Sequence, residues 1–248
     1  MLLLSCAFSQ RWVTKTSNNY SKAVVYIMTN NDTYGSGFNI NKNGLIVTNY
    51  HVVQGASKIV VEFLNGDRYP VNYYTYVDER KDFALLKISG KRLPVVRMGN
   101  SSKVNTGNEV VAIGNPLGQE RSVTKGIISQ IRNFEGLDAF QTDVYIGSGS
   151  SGGPLFNNSQ YVIGITTASL AGSSDNINLA IPINYIQKAL KISNNTTKKR
   201  VGYDIGRAQA PQRTVSNQSN NSFNFDDILA CCIVYLGYLL VLGLLPAS

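Results

Sequence analysis

The stretch GSGSSGGPLF, residues 147–156, sets Ser148, Ser150 and Ser151 among four glycines. A serine hydroxyl becomes a useful nucleophile only when a base within hydrogen-bond reach takes its proton. Glycines around it permit a tight turn that can aim backbone N–H groups at a developing negative charge. Imidazole is the side chain best matched to such a base near neutral pH. The chain of 248 residues has a single histidine, His51, in GLIVTNYHVV. A carboxylate must then orient the ring. Asp82 is the candidate, because it directly precedes the apolar run FALLKI. Asp78 stands among Glu79, Arg80 and Lys81 and reads as solvated, whereas Asp143, in FQTDV, is close enough to the serines in sequence to read as structural.

Chain order separates two ways of using these groups. GSSGG, residues 149–153, fits the loose pattern G-x-S-x-G with Ser151 central. In the nucleophile elbow of α/β-hydrolases, however, the histidine follows the serine. His51 precedes Ser151 by a hundred residues, which leaves the order His, Asp, Ser used by chymotrypsin-like barrels.

The elements that must hold these residues read as strands. AVVYIMT, GSGFNI, GLIVTNYHVV, SKIVVEFL, RYPVNYYTYV and DFALLKI form a first run of six. VVRM, EVVAIGNP, SVTKGIISQIR, AFQTDV, YVIGITTA and INLAIPI form a second. They are rich in Val, Ile, Tyr and Thr and are punctuated by NKNG, LNGD and NTGN, the signature of an all-β barrel or sandwich. A short helix over NYIQKALK is expected to close the domain, which spans residues 18–190. His51 is expected at the end of its strand.

Composition narrows the function classes. The net charge of +8 is mostly terminal, because residues 18–190 hold 15 Lys/Arg against 12 Asp/Glu. With no basic stripe interleaved with aromatics, nucleic-acid binding is not expected. Cys6, Cys231 and Cys232 all lie in terminal segments, so the central region carries no disulfide framework or cysteine metal site, and no cofactor is called for. Residues 191–227 are polar and lack apolar periodicity, as a linker does. Residues 228–245, ILACCIVYLGYLLVLGLL, carry no charge. As a helix they would span roughly 27 Å, close to a hydrocarbon core, and are expected to anchor the chain in a lipid bilayer. Residues 1–17 contain LLSC and AFS, which suggest a truncated signal without a positive n-region.

TNYHVV, DFALLKI, GNPLG, GIIS, QTDVYIGSGSSGGPLFN, IGITTA and AIPINYI, in this order from about residue 20 to 190, together resemble the HtrA/Deg family of trypsin-fold serine proteases. The resemblance implies two six-stranded antiparallel barrels with His51, Asp82 and Ser151 as a triad in the cleft between them. It implies an oxyanion hole from the backbone N–H groups of Gly149 and Ser151, with the Ser150 amide also facing the site. Ser148 and Ser150 become turn residues. It further implies a specificity pocket with Tyr145 near its base and Thr166, Thr167 and Ala168 along one wall. No acid stands at these positions, so a small or medium aliphatic side chain is the expected preference. Unfolded or damaged protein is the implied substrate, a homotrimer a possible assembly, and the extracytoplasmic side of a membrane the implied location. The basic residues ahead of the apolar segment favour instead a cytoplasmic tail-anchored orientation. Two features depart from the family: Ser150 stands where Asn is usual, and the 37 residues of the polar linker are too few for a PDZ domain. A catalytically silent peptide-binding scaffold and an esterase are the alternatives on the same fold.

Overall fold

The computed structural model describes residues 2–114, 122–134, 136–147, 149–167, 178–193 and 199–200. The first barrel is built from β1 (Val24–Thr29), β2 (Tyr34–Asn39), β3 (Leu45–Thr48), β4 (Ile59–Glu62), β5 (Arg68–Asp78) and β6 (Phe83–Ile88). The order is β5-β4-β1-β2-β3-β6, and β5 pairs back on β6 to close it. The second is a closed barrel of β7 (Glu109–Gly114), β8 (Ser122–Phe134), β9 (Leu137–Thr142), β10 (Pro154–Asn157), β11 (Val162–Thr167) and β12 (Asn178–Pro182). All strand pairings within the barrels are antiparallel.

Successive strand residues point to opposite faces, and here both faces are buried. On β1, Val25 and Ile27 fill the first barrel while Val24 faces the seam between the barrels. On β6, Ala84, Leu86 and Ile88 point inward, and Phe83 and Leu85 enter the seam. On β7, Val110 and Ala112 line the second barrel, and Val111 and Ile113 meet the seam. Each barrel therefore has its own core, and a third apolar cluster joins them. This is why DFALLKI and EVVAIG read as continuous apolar runs rather than as apolar–polar alternation. At about 1.5–3 kcal/mol per fully buried Val, Leu, Ile or Phe, the seam makes the two barrels one cooperative unit.

The structure corrects several expectations. VVRM is not a strand: its one ladder contact is a parallel bridge between Met98 and Val162. The segment is shared between the barrels instead. Val96 N–H donates to Asn39 O at 3.0 Å, Asn39 Nδ2 donates to Pro94 O at 2.7 Å, and Val162 N–H donates to Arg97 O at 2.8 Å. The sixth strand of the second barrel is β10, PLFN, directly after the serine turn. His51 is not on a strand end but on a one-turn helix, α2 (Tyr50–Val53).

Residues 12–17, placed by the sequence ahead of the domain, pack against it. Helix α1 (Leu2–Tyr20) runs through that boundary, and Trp12 and Val13 pack on the seam. Thr16 is fully buried, with its hydroxyl on Trp12 O at 2.8 Å, and Tyr20 stacks on Phe156 at 5.3 Å between centroids. The closing helix is α3 (Ile183–Ser193), as expected, with Ile183, Ile186 and Ala189 in the seam. The expected linker also holds a short strand, β13 (Lys199–Arg200), paired with Tyr74 and Tyr73 of β5. The apolar run 228–245 lies outside the described residues. No helix among the described residues is long and apolar enough to cross a membrane.

Candidate active site

The first barrel supplies a histidine–carboxylate pair. Asp82 grips His51 at two points: Oδ1 accepts the His51 backbone N–H at 2.9 Å, and Oδ2 lies 2.8 Å from Nδ1. A carboxylate only accepts, so this contact places the ring proton on Nδ1 and leaves Nε2 with its lone pair. Asp82 closes the turn after β5. Its N–H reaches Glu79 O at 3.2 Å, its φ is +50°, and Asn49 Nδ2 donates to its carbonyl at 2.9 Å. Asp tolerates the left-handed region better than most residues. Asp78 makes the turn rather than facing water. Its side chain is only 13 % exposed, and it accepts from Lys81 N–H at 3.0 Å and from Lys81 Nζ at 2.7 Å.

Two phenols hold the short helix that carries His51. Tyr50 Oη donates to Glu79 Oε1 at 3.2 Å, and Tyr74 Oη donates to Val53 O at 3.1 Å. Burial, with the Glu79 carboxylate beside it, pushes the Tyr50 phenol up to about 12. Burial, with Tyr50 nearby, does the same to Tyr74. Both therefore keep the proton they donate.

The second barrel supplies the serine turn between β9 and β10. Ser151 is 8 % exposed, and Gly149 and Gly152 have φ of +85° and +90°. The carbonyls of this turn point alternately to the two barrels. Gly149 O accepts from Ser36 Oγ at 2.6 Å and Ser151 O from Ser36 N–H at 2.8 Å, both donors being on β2. Ser150 O accepts from Thr166 Oγ1 at 2.8 Å, and Gly152 N–H donates to Thr166 O at 2.8 Å, both on β11. Among the described residues, the N–H groups of Gly149 and Ser151 meet no acceptor. The Ser150 N–H is taken by Gly147 O at 3.0 Å. It is therefore not a donor for the site, a correction to its expected place in the oxyanion hole. Its hydroxyl faces Gly114, where an added Cβ would come within 2.7 Å, so Ser150 is the turn residue expected.

Gly35 brings the two halves together: a Cβ there would lie 2.8 Å from Val52, next to His51, and 3.1 Å from Ser151 O. No hydrogen bond joins Ser151 Oγ to His51 Nε2 among the described residues. In substrate-free sites such contacts are commonly long and tighten on binding.

The expected pocket residues separate. Tyr145 is 73 % exposed, flanked by buried Val144 and Ile146. Among the described residues its ring is open to solvent rather than enclosed as the base of a pocket. Thr166 is buried and braces the serine turn through Ser150 O and Gly153 O. Thr167 Oγ1 donates to Asp82 Oδ2 at 3.3 Å, a second polar contact on that oxygen. Ala168 and Ser148 lie outside the described residues. Asp143 is structural, as its position suggests: Oδ1 accepts the Ile127 N–H at 2.6 Å. No group of side chains among the described residues could hold a metal ion.

The turn tolerates no side chain at 152. A Cβ there would lie 2.1 Å from Ser36 O and 2.4 Å from Thr48 Oγ1. Overpacking costs about 1–3 kcal/mol, and a left-handed φ outside glycine costs roughly 1–2 kcal/mol. Gly152→Ala should therefore lower stability by about 2–5 kcal/mol and distort the turn. A thermal melt unchanged within 2 °C, by the expected scaling of Tm with stability, would refute this packing.

Two antiparallel six-stranded barrels sharing one apolar seam form the trypsin-like fold, and the sequence agrees: the family of the trypsin-like peptidase domain matches residues 35–165, more than half of the chain. The chain belongs to this family. A probable periplasmic serine endoprotease DegP-like of Pseudomonas putida is 41% identical over 170 residues, covering 66% of this chain and 35% of its own. The putative serine protease HhoA of Synechocystis is 37% identical over 201 residues, covering 76% and 50%. Among solved structures, the HtrA-type protease AlgW with a tripeptide has a TM-score of 0.66 at 35% identity, covering 72% of this chain and 62% of that one. Deg5 has a TM-score of 0.63 at 33% identity, covering 73% and 92%. The protein is an HtrA-type member of the trypsin-fold serine proteases. It spans about a third to a half of the length of these curated relatives.

Proposed function

We propose that this chain is a serine endopeptidase that cleaves unfolded or damaged proteins through His51, Asp82 and Ser151. The observation that carries the reading is the two-point grip of Asp82 on His51, at 2.8 and 2.9 Å, beside a serine turn whose Gly149 and Ser151 amides meet no acceptor among the described residues. Ser151 Oγ attacks the scissile carbonyl while His51 Nε2 takes its proton. The tetrahedral oxyanion is received by the N–H groups of Gly149 and Ser151. His51 then returns the proton to the leaving amine, and water repeats the cycle on the acyl-enzyme. Asp82 fixes the tautomer of the neutral ring and stabilises the transient imidazolium, with Thr167 and Asn49 steadying the carboxyl residue. Labelling with a fluorophosphonate tests the assignment. Ser151 should be the modified residue, and failure to label the folded protein would overturn it.

Relatives named as periplasmic support an extracytoplasmic site of action, and the AlgW structures with a tripeptide and a decapeptide support a peptide substrate. Residues 228–245 serve as the membrane tether in this reading, with residues 191–227 as the spacer and a trimer as the assembly. Deleting 228–248 should then release a soluble protein with the wild-type rate on peptide substrates. Fractionation of the full-length and shortened chains by membrane sedimentation checks this. A full-length chain that remains in the supernatant, or a shortened one that unfolds, removes the tether from the proposal.

A further inference from the structure

We infer that the hydroxyl of Ser36 is a positioning element for the oxyanion hole: a strut from the histidine-bearing barrel that sets the Gly149 and Ser151 amides. The inference rests on the proposed role of Ser151 and names a residue outside the triad.

Ser36 is fully buried in the middle of β2. It makes two donations to the serine turn, from Oγ to Gly149 O at 2.6 Å and from N–H to Ser151 O at 2.8 Å. Its own carbonyl accepts from Thr48 Oγ1 at 2.7 Å, so the strut is itself braced. In a trans peptide, the C=O of one residue and the N–H of the next point in opposite directions. Drawing Gly149 O toward Ser36 therefore directs the Ser150 N–H away from the first barrel, where Gly147 O accepts it at 3.0 Å. Drawing Ser151 O the same way directs the Gly152 N–H to Thr166 O, at 2.8 Å. Between these two pinned planes, Ser150 O is held by Thr166 Oγ1 at 2.8 Å on the opposite side. The Ser151 N–H is consequently turned away from Thr166.

Gly149 needs this restraint more than any other residue of the turn. Its φ of +85° is open to glycine, but glycine is also free to leave it. Main-chain contacts fix the 151–152 plane, whereas among the described residues the 149–150 plane is tied to the first barrel through the Ser36 hydroxyl. Loss of that bond removes the anchor on the C-terminal side of Gly149, and a shift of this glycine carries its N–H with it. A donor displaced by about 1 Å contributes little to the developing oxyanion.

The test is Ser36→Ala, read on the full chain with a peptide substrate and two kinds of inhibitor. The expected result is a fall in kcat of about 10–100-fold, short of the 10²–10³-fold typical for outright removal of an oxyanion donor. KM should stay within about twofold, since substrate binding does not use the hole. Affinity for a peptide aldehyde, which forms a tetrahedral adduct with its oxygen in the hole, should fall by the same factor as kcat/KM. Affinity of an uncleaved peptide for the Ser36→Ala/Ser151→Ala double variant should match that for Ser151→Ala. A merely structural role would weaken both ligands together, and that outcome, or an unchanged kcat, overturns the inference. If Ser36→Ala does not fold, Thr48→Val decides, because it removes the brace and keeps the hydroxyl. A smaller loss confined to kcat and aldehyde affinity supports the strut, and no loss overturns it. Wild-type protein that neither labels nor hydrolyses would instead refute the proposed activity itself.

Discussion

Ser151→Ala should abolish hydrolysis of a loosely folded protein such as casein, with a loss of about 10⁴-fold or more in rate, while leaving the fold intact. The two halves of this expectation have different grounds. Without Oγ there is no acyl-enzyme, and the remaining groups act as a unit that does little alone. The fold should survive because the contacts that hold the turn at this position are made by the backbone. Ser151 O accepts from Ser36 N–H, and the neighbouring Gly152 N–H donates to Thr166 O. Among the described residues Ser151 Oγ has no hydrogen-bond partner, so its removal strands no buried group. Casein digestion and a thermal melt on the same preparation check both. Cleavage undiminished in the variant would mean that another residue, or another protein in the preparation, does the chemistry.

Asp82→Asn should lower kcat by a comparable factor, about 10⁴-fold, with KM little changed. The Asn side chain can still offer an oxygen to the His51 backbone N–H. It then presents an NH₂ group to Nδ1, where Asp82 Oδ2 now lies at 2.8 Å. A donor facing Nδ1 selects the opposite tautomer, with the proton on Nε2, and that nitrogen can no longer accept the proton of Ser151. Steady-state kinetics on the two proteins check this. An Asp82→Asn variant within about tenfold of wild type would require a different base.

The sequence carried most of the architecture because barrel strands advertise themselves locally. Val24–Thr29 is rich in β-branched residues, Phe83–Ile88 is apolar on both faces, and turn residues end them. The candidate triad was legible for another reason: a single histidine and a single glycine-flanked serine turn leave few combinations, and chain order removes most of those. Where the reading failed, the deciding contacts were non-local. VVRM has the composition of a strand, yet its hydrogen bonds are divided between Asn39 and Val162 on different barrels. PLFN was absorbed into the turn before it because nothing in four residues marks where the turn stops. The helix at Trp12 to Tyr20 has a mixed surface that makes sense only against Phe156 and the seam.

The site divides along the same line. Residue types determined which atoms could attack, accept a proton and orient a ring, since those are properties of side chains considered singly. Tertiary structure decided which way each group points. Tyr145 is exposed between two buried neighbours, Thr167 reaches Asp82, and the Ser150 amide is taken by Gly147 O. Ser36 and Thr48 could not be found from the sequence, where GSGF and LIVT read as ordinary strand. Their hydroxyls matter only because β2 and β3 lie against a turn more than a hundred residues away, close enough that Ser36 reaches Gly149 O at 2.6 Å and one added carbon at Gly152 would collide with both.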